Sequence, residues 1–250
     1  MGFTIAVAGK GGVGKTTLAA LVVRSLKEKK LGSVLAVDAD PNSNLAEALG
    51  MEAGPTVGQL LDEVAAHPER IPSGMPKDRF IEYQVQSLIQ EGEGFDVITM
   101  GRPEGPGCYC YVNNVLRGVM SKLIKEYDYI IIDNEAGLEH LSRRTTRAAD
   151  TLLVVSDATA VALKAAGRIN ELAGELGIKT GQRLLVVNRN NASIPRERIQ
   201  PLGLEYAGDI PVDEELFKIS VTGNSLWGLD PNAPSLRALH TLGDQIWQRS

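Results

Sequence analysis

The chain has 250 residues, 43% of them hydrophobic and 23% charged, an ordinary composition for a globular protein with a sizeable core. Its 26 Lys and Arg residues against 31 Asp and Glu residues give a net charge of −5, which argues against nucleic-acid and anionic-membrane partners. Because no apolar run approaches the roughly 18 residues of a membrane span and the N-terminus lacks a signal-peptide pattern, we expect a cytoplasmic protein with no membrane partner.

Short β-branched runs alternate with helical patterns along the chain, which is typical of βαβ units around a buried parallel sheet. The predicted strands are Thr4–Gly9, Ser33–Asp38, Phe95–Gly101, Tyr127–Asp133, Thr151–Ser156 and Arg183–Asn188, with a weaker seventh at Leu204–Pro211. The predicted helices are Lys15–Lys29, Val112–Lys125, Leu138–Ala149, Ala158–Leu176 and Ser235–Gln248, and Ala66–Lys77 is predicted to be a long surface loop. We predict a single α/β domain over residues 1–250, with a doubly wound, mainly parallel sheet flanked by helices and ligands at the carboxyl ends of its strands.

A phosphate-binding loop follows the first predicted strand. The segment GKGGVGKT, Gly9–Thr16, fits the P-loop pattern G-x-x-x-x-G-K-[ST] between a strand and a helix. Glycines allow backbone N–H groups to surround phosphate oxygens, Lys15 would neutralise the β and γ charges, and Thr16 would bind Mg²⁺. The nucleotide-binding residues predicted here are Gly9, Lys10, Gly11, Gly12, Val13, Gly14, Lys15, Thr16 and Thr17.

Acidic residues end two of the predicted strands. Asp38 and Asp40 are two residues apart at the end of the second strand, so that both side chains can project toward the phosphate side. Asp133 ends the apolar strand YIIID, where it is expected to hold Mg²⁺, and Gly137 follows four residues later. The P-loop, the aspartate pair and the Asp-x-x-x-Gly pattern, in this order, indicate a nucleotide site with Mg²⁺ far more specifically than any one of them alone.

Lys10 directly follows the first glycine of the loop, so that GKGGVGKT resembles the deviant Walker A motif of the MinD/ParA/nitrogenase iron protein class of P-loop ATPases. The resemblance implies ATP hydrolysis by a homodimer in which Lys10 reaches the partner's nucleotide and adds positive charge to its transition state. It also implies that Asp40 orients or deprotonates the attacking water, that Asp38 supports the Mg²⁺ shell, and that the backbone N–H of Gly137 contacts the γ-phosphate.

The same resemblance implies a binding site for the adenine of ATP or ADP. Asn188, at the end of the strand RLLVVN, would pair with the edge of the base, and the segment around Pro211 and Val212 would wrap the ring. An asparagine at a strand end is also a common turn former.

Cys108 and Cys110, in MGRPEGPGCYCYVNN, are the only two cysteines of the chain. Thiols of cytosolic proteins stay reduced, which argues against a structural disulfide. Two thiolates from each chain, doubled by a two-fold axis, give a four-sulfur site that suits Ni²⁺ or Zn²⁺, and the chemistry alone does not choose between them. The helix predicted just after the pair would favour the thiolate form.

The segments GRPEGPGCYCYVNN, VDADPNSNL and DNEAGLEHLSRRTTRAAD together resemble the CooC/AcsF-type ATPases that mature nickel enzymes. This resemblance implies a homodimeric metallochaperone that inserts Ni²⁺ into apo carbon monoxide dehydrogenase/acetyl-CoA synthase, with RPEGPGCYCY favouring the acetyl-CoA synthase branch. Two other functions stay open: a positioning ATPase like MinD or ParA with incidental cysteines, and an iron–sulfur electron-transfer ATPase. The C-terminal pattern has few basic residues for a membrane-binding helix, and the nitrogenase iron protein draws its cysteines from separate loops.

Overall fold

The computed structural model describes residues 2–101, 110–135, 138 and 148–247, and within them the side chains of residues 110–116 are not described. The strands are β1 (Phe3–Gly9), β2 (Val34–Ala39), β3 (Gln90–Glu91), β4 (Asp96–Thr99), β5 (Tyr129–Asn134), β6 (Ala148–Ser156), β7 (Lys179–Asn188) and β8 (Glu205–Ile210). The helices are α1 (Lys15–Glu28), α2 (Leu45–Ala48), α3 (Val57–Ala66), α4 (Lys77–Gln86), α5 (Cys110–Leu123), α6 (Ala160–Glu175), α7 (Arg196–Ile199), α8 (Glu214–Thr222) and α9 (Pro234–Trp247).

The described strands form one eight-stranded sheet in the order β3-β4-β2-β5-β1-β6-β7-β8. Every neighbouring pair is parallel except the short edge pair of β3 and β4. This confirms the predicted α/β fold. Because the strand order reverses around β1, the carboxyl ends of β1, β2 and β5 lie side by side at the edge where ligands of such sheets bind.

Apolar side chains cover both faces of the sheet. Ile5 and Val7 of β1 belong to the core that α1 and α9 complete, whereas Ala6 and Ala8 belong to the core that α3, α4, α5 and α6 complete. This alternation follows from the two-residue period of a strand, and burial on both sides explains why the strands read as continuous apolar runs. None of the helices in the described ranges combines the length and apolar character needed to cross a membrane.

The predicted strands are confirmed, with boundaries that differ by a few residues. The predicted helix Leu138–Ala149 is wrong at its end, because Ala148 and Ala149 belong to β6 and pair with Lys179 and Thr180 of β7. The remainder of that prediction, residues 139–147, lies outside the described residues. The predicted loop Ala66–Lys77 connects α3 to α4 and contains a 3₁₀ turn at Pro68–Arg70.

Candidate active site

Three positions of the phosphate loop, Gly9, Gly12 and Gly14, accommodate only glycine well. A side-chain Cβ on Gly9 would lie 2.5 Å from the carbonyl oxygen of Val155 in β6, so the close approach of the two strands excludes one. Gly12 and Gly14 have φ angles of +82° and +91°, in the left-handed region that favours glycine. A Cβ on Gly11 or Gly12 would meet nothing within 4 Å, so this part of the loop faces open space.

The first turn of α1 directs positive electrostatic potential into that space. Its N-cap residue, Gly14, provides no side-chain cap, and the turn contains no acidic residue, which leaves the N–H groups available for an anion. Lys15 is only 7% exposed, whereas Lys10 lies at the surface of the loop. The loop glycines, the first turn of α1 and Lys15 therefore lie next to one another, and phosphate binding by them stays a prediction.

Asp38 and Asp133 lie together beneath this loop. They are register partners of the parallel strands β2 and β5, and both are fully buried. The backbone N–H groups of Leu45 and Asp40 donate to Asp38 at 2.8 and 3.2 Å. Burial raises the pKa of Asp38 to about 6, although these two bonds act in the opposite direction. Asp38 thus fixes the start of the segment that follows β2.

Asp133 is the carboxylate that fits a cation. Within the described part of the chain, neither of its oxygens has a hydrogen-bond partner of good geometry. Its pKa is raised to about 7, chiefly by burial and also by the neighbouring Asp38, although the nearby Thr16 side chain and Lys15 act in the opposite direction. A buried carboxylate without donors is costly unless a cation compensates it, and carboxylate and hydroxyl oxygens suit Mg²⁺. Asp133 and Thr16 therefore fit the predicted Mg²⁺ site.

Asp40 is half-buried at the beginning of the loop that follows β2. Its Oδ1 accepts hydrogen bonds from the backbone N–H and the side-chain Nδ2 of Asn42, both at 2.9 Å. Its carboxylate thus lies two residues beyond the buried Asp38, in the order that the sequence predicts. The predicted role of Asp40 toward the attacking water stays a prediction.

Asn188 contacts the phosphate loop, which the sequence reasoning missed. Its Nδ2 donates to the carbonyl oxygen of Val13 at 2.8 Å, and its Oδ1 accepts from the backbone N–H of Arg189 at 3.0 Å. Val212 is 51% exposed, and its backbone N–H donates to Oδ1 of Asn191 at 3.0 Å. Adenine binding by Asn188, Pro211 and Val212 remains a prediction.

A cavity of about 320 Å³ opens beside the first turn of α1. Its wall includes Thr16 and Thr17 of α1, Glu47 of α2 and Ser220 of α8. Three elements far apart in sequence form it, so no local pattern indicates it. The cavity offers hydroxyl and carboxylate groups to a ligand that extends from the phosphate loop.

The predicted metal site of Cys108 and Cys110 is only partly within the described residues. Cys108 lies outside them, and Cys110 is the first residue of α5, with its side chain not described. Gly137, which is predicted to contact the γ-phosphate, also lies outside the described residues. The parts of the chain that are described contain no group of three or more His, Cys, Asp and Glu side chains that could hold a metal ion.

Several known proteins are similar to this chain. An uncharacterized ATP-binding protein of Methanocaldococcus jannaschii is 41% identical over 247 residues, which cover 97% of each chain. The carbon monoxide dehydrogenase accessory protein CooC of Rhodospirillum rubrum is 30% identical over 239 residues, covering 91% of this chain and 90% of the relative. The septum site-determining protein MinD from Pyrococcus horikoshii OT3, solved with Mg-ADP, has the same fold, with a TM-score of 0.71, 22% identity, and coverage of 98% of this chain and 96% of that one.

A family model described as an AAA domain matches residues 3–184, which include β1 to β6 and the whole phosphate site. The matched part carries the loop Gly9–Thr16 and the buried aspartates at the ends of β2 and β5. The chain therefore belongs to this AAA domain family of P-loop ATPases, with the MinD/ParA fold.

Proposed function

We propose that this ATPase is a homodimeric metallochaperone that inserts nickel into carbon monoxide dehydrogenase/acetyl-CoA synthase, with acetyl-CoA synthase as the preferred client. The observation that carries the proposal is the paired Cys108 and Cys110 in a chain that is 30% identical to the accessory protein CooC over 91% of its length. The backbone of Cys110 begins α5, and a helix N-terminus favours the thiolate form of a cysteine there.

In the proposed hydrolysis, the N–H groups of the loop and Lys15 bind the phosphates of ATP. Thr16 and Asp133 would hold Mg²⁺, which neutralises charge on the β- and γ-phosphates when it is bound. Asp40 orients the attacking water and accepts its proton as the γ-phosphoryl group leaves ADP. Lys10 of the partner chain adds positive charge to the same transition state.

Nickel is the cargo in this proposal. Cys108 and Cys110 of two protomers provide four thiolates, a set that suits Ni²⁺ in a square-planar field and Zn²⁺ in a tetrahedral one. ATP draws the protomers together and hydrolysis separates them, which requires that the metal and ATP favour different or mutually reinforcing dimer geometries. Nucleotide turnover would then release the metal to the apo-enzyme.

Metal analysis of the purified dimer tests this proposal. We expect one Ni²⁺ per dimer, with an affinity that differs between the ADP and ATP complexes. Cys108→Ser and Cys110→Ser should each abolish tight Ni²⁺ binding and retain ATP binding, whereas Lys15→Ala should lose ATP binding and retain Ni²⁺ in the absence of nucleotide. Unchanged Ni²⁺ titrations of the two cysteine variants would exclude the shared-thiolate site.

The same preparation distinguishes the other two functions. An iron–sulfur electron carrier would show visible cluster absorption after anaerobic purification. A positioning ATPase would sediment with liposomes or DNA in the presence of ATP, and its sedimentation would not change in the cysteine variants.

A further inference from the structure

The segment after β2 is held at two points by Asp38. Oδ1 of Asp38 accepts the backbone N–H of Asp40 at 3.2 Å, and Oδ2 accepts that of Leu45 at 2.8 Å. Between these points the chain closes a turn, because the backbone N–H of Ser43 donates to the carbonyl oxygen of Asp40 at 3.0 Å. Pro41 fixes its own φ angle and restricts Asp40 to extended backbone conformations. The backbone that carries Asp40 is therefore fixed by contacts within the protein.

Two donors of Asn42 hold one oxygen of the Asp40 carboxylate. The backbone N–H and the side-chain Nδ2 of Asn42 both donate to Oδ1 at 2.9 Å. Oδ2 accepts no hydrogen bond from any residue that the structure describes, so its lone pairs are available to a further donor. Hydrogen bonds to a charged acceptor are strong, and two of them on one oxygen restrict the rotation of the carboxylate. Asn42 therefore determines which oxygen of Asp40 is free.

A second Asp-Pro-Asn turn in the same chain lacks the side-chain contact. Asp230, Pro231 and Asn232 precede α9, and there too the backbone N–H of Asn232 donates to Oδ1 of Asp230, at 2.7 Å. The N–H of Ala233 again closes the turn on the carbonyl oxygen of Asp230, at 2.9 Å. In the described structure, however, only the backbone of Asn232 contacts the Asp230 carboxylate. The side-chain contact of Asn42 is thus not a general consequence of this tripeptide.

The residue that follows Asn42 also differs between the two turns. Ser43 has a φ angle of +52°, in the left-handed region that is uncommon outside glycine, whereas Ala233 lies outside that region. The Oγ of Ser43 donates to the carbonyl oxygen of Asp40 at 3.4 Å, in addition to the backbone bond. A strained backbone persists where surrounding contacts require it, and such positions cluster at functional sites. The turn at Asp40 therefore has a feature that turn formation alone does not demand.

Asp40 lies close to the site predicted for Mg²⁺. Besides burial, the nearby charges of Asp38 and Asp40 raise the pKa of Asp133, the carboxylate that fits the cation. Asp40 itself is only half-buried, so water can reach its carboxylate. A general base must keep a lone pair within reach of the proton that it accepts. A carboxylate with one oxygen held and the other free meets this requirement.

We propose that Asn42 is a positioning residue for ATP hydrolysis, which holds Oδ1 of Asp40 so that Oδ2 faces the attacking water. The water oxygen forms the new bond to the γ-phosphorus, its proton passes to Oδ2, and ADP leaves with the electrons of the broken P–O bond. Asn42 contacts neither the water nor the nucleotide and acts only through Asp40. This inference rests on the proposed role of Asp40 and is independent of the nickel cargo.

Steady-state hydrolysis of ATP by Asn42→Ala measures this role. The variant keeps the backbone N–H on Asp40 and loses only Nδ2, so kcat should fall by about tenfold while KM stays within about twofold of the wild-type value. Asn42→Gln, which keeps an amide donor, should recover part of the loss.

Asn42→Asp separates positioning from turn formation. Aspartate forms turns as readily as asparagine and has nearly the same shape, so a residue that serves only the turn would tolerate it. It has no donor for Asp40 and adds a like charge beside it, so kcat should be about threefold lower than in Asn42→Ala. A kcat equal to that of the wild type in Asn42→Asp would overturn the inference.

A double-mutant cycle shows whether Asn42 acts through Asp40. Single-turnover assays with radiolabelled ATP measure the slow residual hydrolysis of Asp40→Ala, and adding Asn42→Ala should lower it by less than about twofold. An equal loss on Asn42→Ala with and without Asp40 would overturn the inference, and so would a normal kcat in Asn42→Ala beside a slow Asp40→Ala. A normal rate in Asp40→Ala would refute the proposed role of Asp40 itself, and the positioning role with it.

Asn232→Ala is the matched control, because it changes the same residue of the second Asp-Pro-Asn turn and keeps the backbone N–H on Asp230. Its kcat and KM should equal those of the wild type, and a loss of kcat as large as in Asn42→Ala would count against a specific role of Asn42. Both asparagines are exposed, so their variants should fold. Thermal melting and sedimentation with ATP verify that each variant folds and dimerises.

Discussion

Asp38 and Asp133 face each other across the parallel strands β2 and β5, fully buried and unequally hydrogen-bonded. Asp38 accepts two backbone N–H groups of the segment after β2, whereas the oxygens of Asp133 have no such partner in the described structure. The carboxylate of Asp38 therefore stabilises the segment after β2, whereas the carboxylate of Asp133 is available to bind a cation. This division fits a site that is completed only when Mg²⁺ and nucleotide bind.

The buried Asp133 should make the metal-free protein less stable as the pH rises. Burial raises its pKa from 3.8 to about 7, so the folded state binds a proton that the unfolded state has already lost between these values. Stability should fall as the pH rises from about 4 and should level off above about 7. Asp133→Asn removes the buried charge and should raise the melting temperature at pH 8 by about 5–10 °C in the absence of Mg²⁺.

Thermal melts in EDTA between pH 5 and pH 8 measure this effect. The variant should lose the stabilisation by Mg²⁺ and ATP that the wild type shows. A wild-type melting temperature that is constant over this pH range would mean that ionisation of Asp133 in the folded protein does not lower the free energy of unfolding.

Substitution by alanine should lower the stability of the fold strongly at Gly9 and hardly at all at Gly11. Gly9→Ala places a Cβ 2.5 Å from the Val155 carbonyl, between the central strands β1 and β6, and should destabilise the fold by about 3 kcal/mol. Gly11→Ala meets nothing within 4 Å and should change stability by less than about 1 kcal/mol. Urea denaturation of both variants measures the difference, and equal losses would contradict the close approach at Gly9.

Asp213 connects the starts of two helices that lie next to the predicted adenine segment. Its Oδ1 accepts from the N–H groups of Glu215 and Leu216 in α8, both at 3.1 Å, and its Oδ2 accepts from the N–H and Oγ of Ser235 in α9 at 3.1 and 2.7 Å. Burial raises the pKa of Asp213, but the hydrogen bonds from Ser235, Leu216 and Glu215 lower it more, so that the net pKa lies below 3.8.

Asp213→Ala should therefore destabilise the protein by about 2–3 kcal/mol at pH 7. A carboxylate with a lowered folded pKa contributes stability above its unfolded pKa and loses it as the pH falls through the folded value. The difference between wild type and variant should hence shrink below pH 4 in urea denaturation experiments. Asp213→Asn, which retains one acceptor, should lie between the two.

The predicted strands agree with the structure because burial on both sides produces unmistakable runs of apolar residues, as in β5. The helices α3 and α4 were missed for different reasons. Only Ile81 and Val85 of α4 are buried, which leaves little periodic signal, whereas α3 carries a capping box between Thr56 and Gln59 that could have identified it. The alanines at 148 and 149 favour helix by propensity, and pairing with the long strand β7 overrides this preference.

The phosphate site could be predicted in part because its motif is local. The loop residues and the aspartates at the ends of β2 and β5 are recognisable by their spacing, and Asp133 lies near Thr16 in the structure. The contact of Asn188 with Val13 joins residues 175 positions apart, so only the pairing order of the sheet reveals it. Sequence spacing predicts the chemistry of the site but not the contacts that support its backbone.

Lys10 should be needed for hydrolysis and not for binding of ATP. It lies exposed beside Gly11 and Gly12, where a second molecule can reach it, whereas Lys15 is buried at the start of α1. Lys10→Ala should therefore bind ATP within about twofold of the wild type, lose ATP-driven dimerisation, and hydrolyse ATP about 10³-fold more slowly. Lys15→Ala, the comparison variant, should lose binding itself.

Mixing two inactive variants decides whether Lys10 acts on the partner's nucleotide. In a mixed dimer of Lys10→Ala and Asp40→Ala, one site combines the intact Asp40 of one chain with the intact Lys10 of the other. Equal mixing should restore activity, up to about a quarter of the wild-type value if half of the dimers are mixed, because each mixed dimer has one complete site and keeps one Lys10 at its interface. If Lys10 acts within its own chain, every site lacks either Lys10 or Asp40 and the mixture stays inactive. Sedimentation with ATP verifies that mixed dimers form.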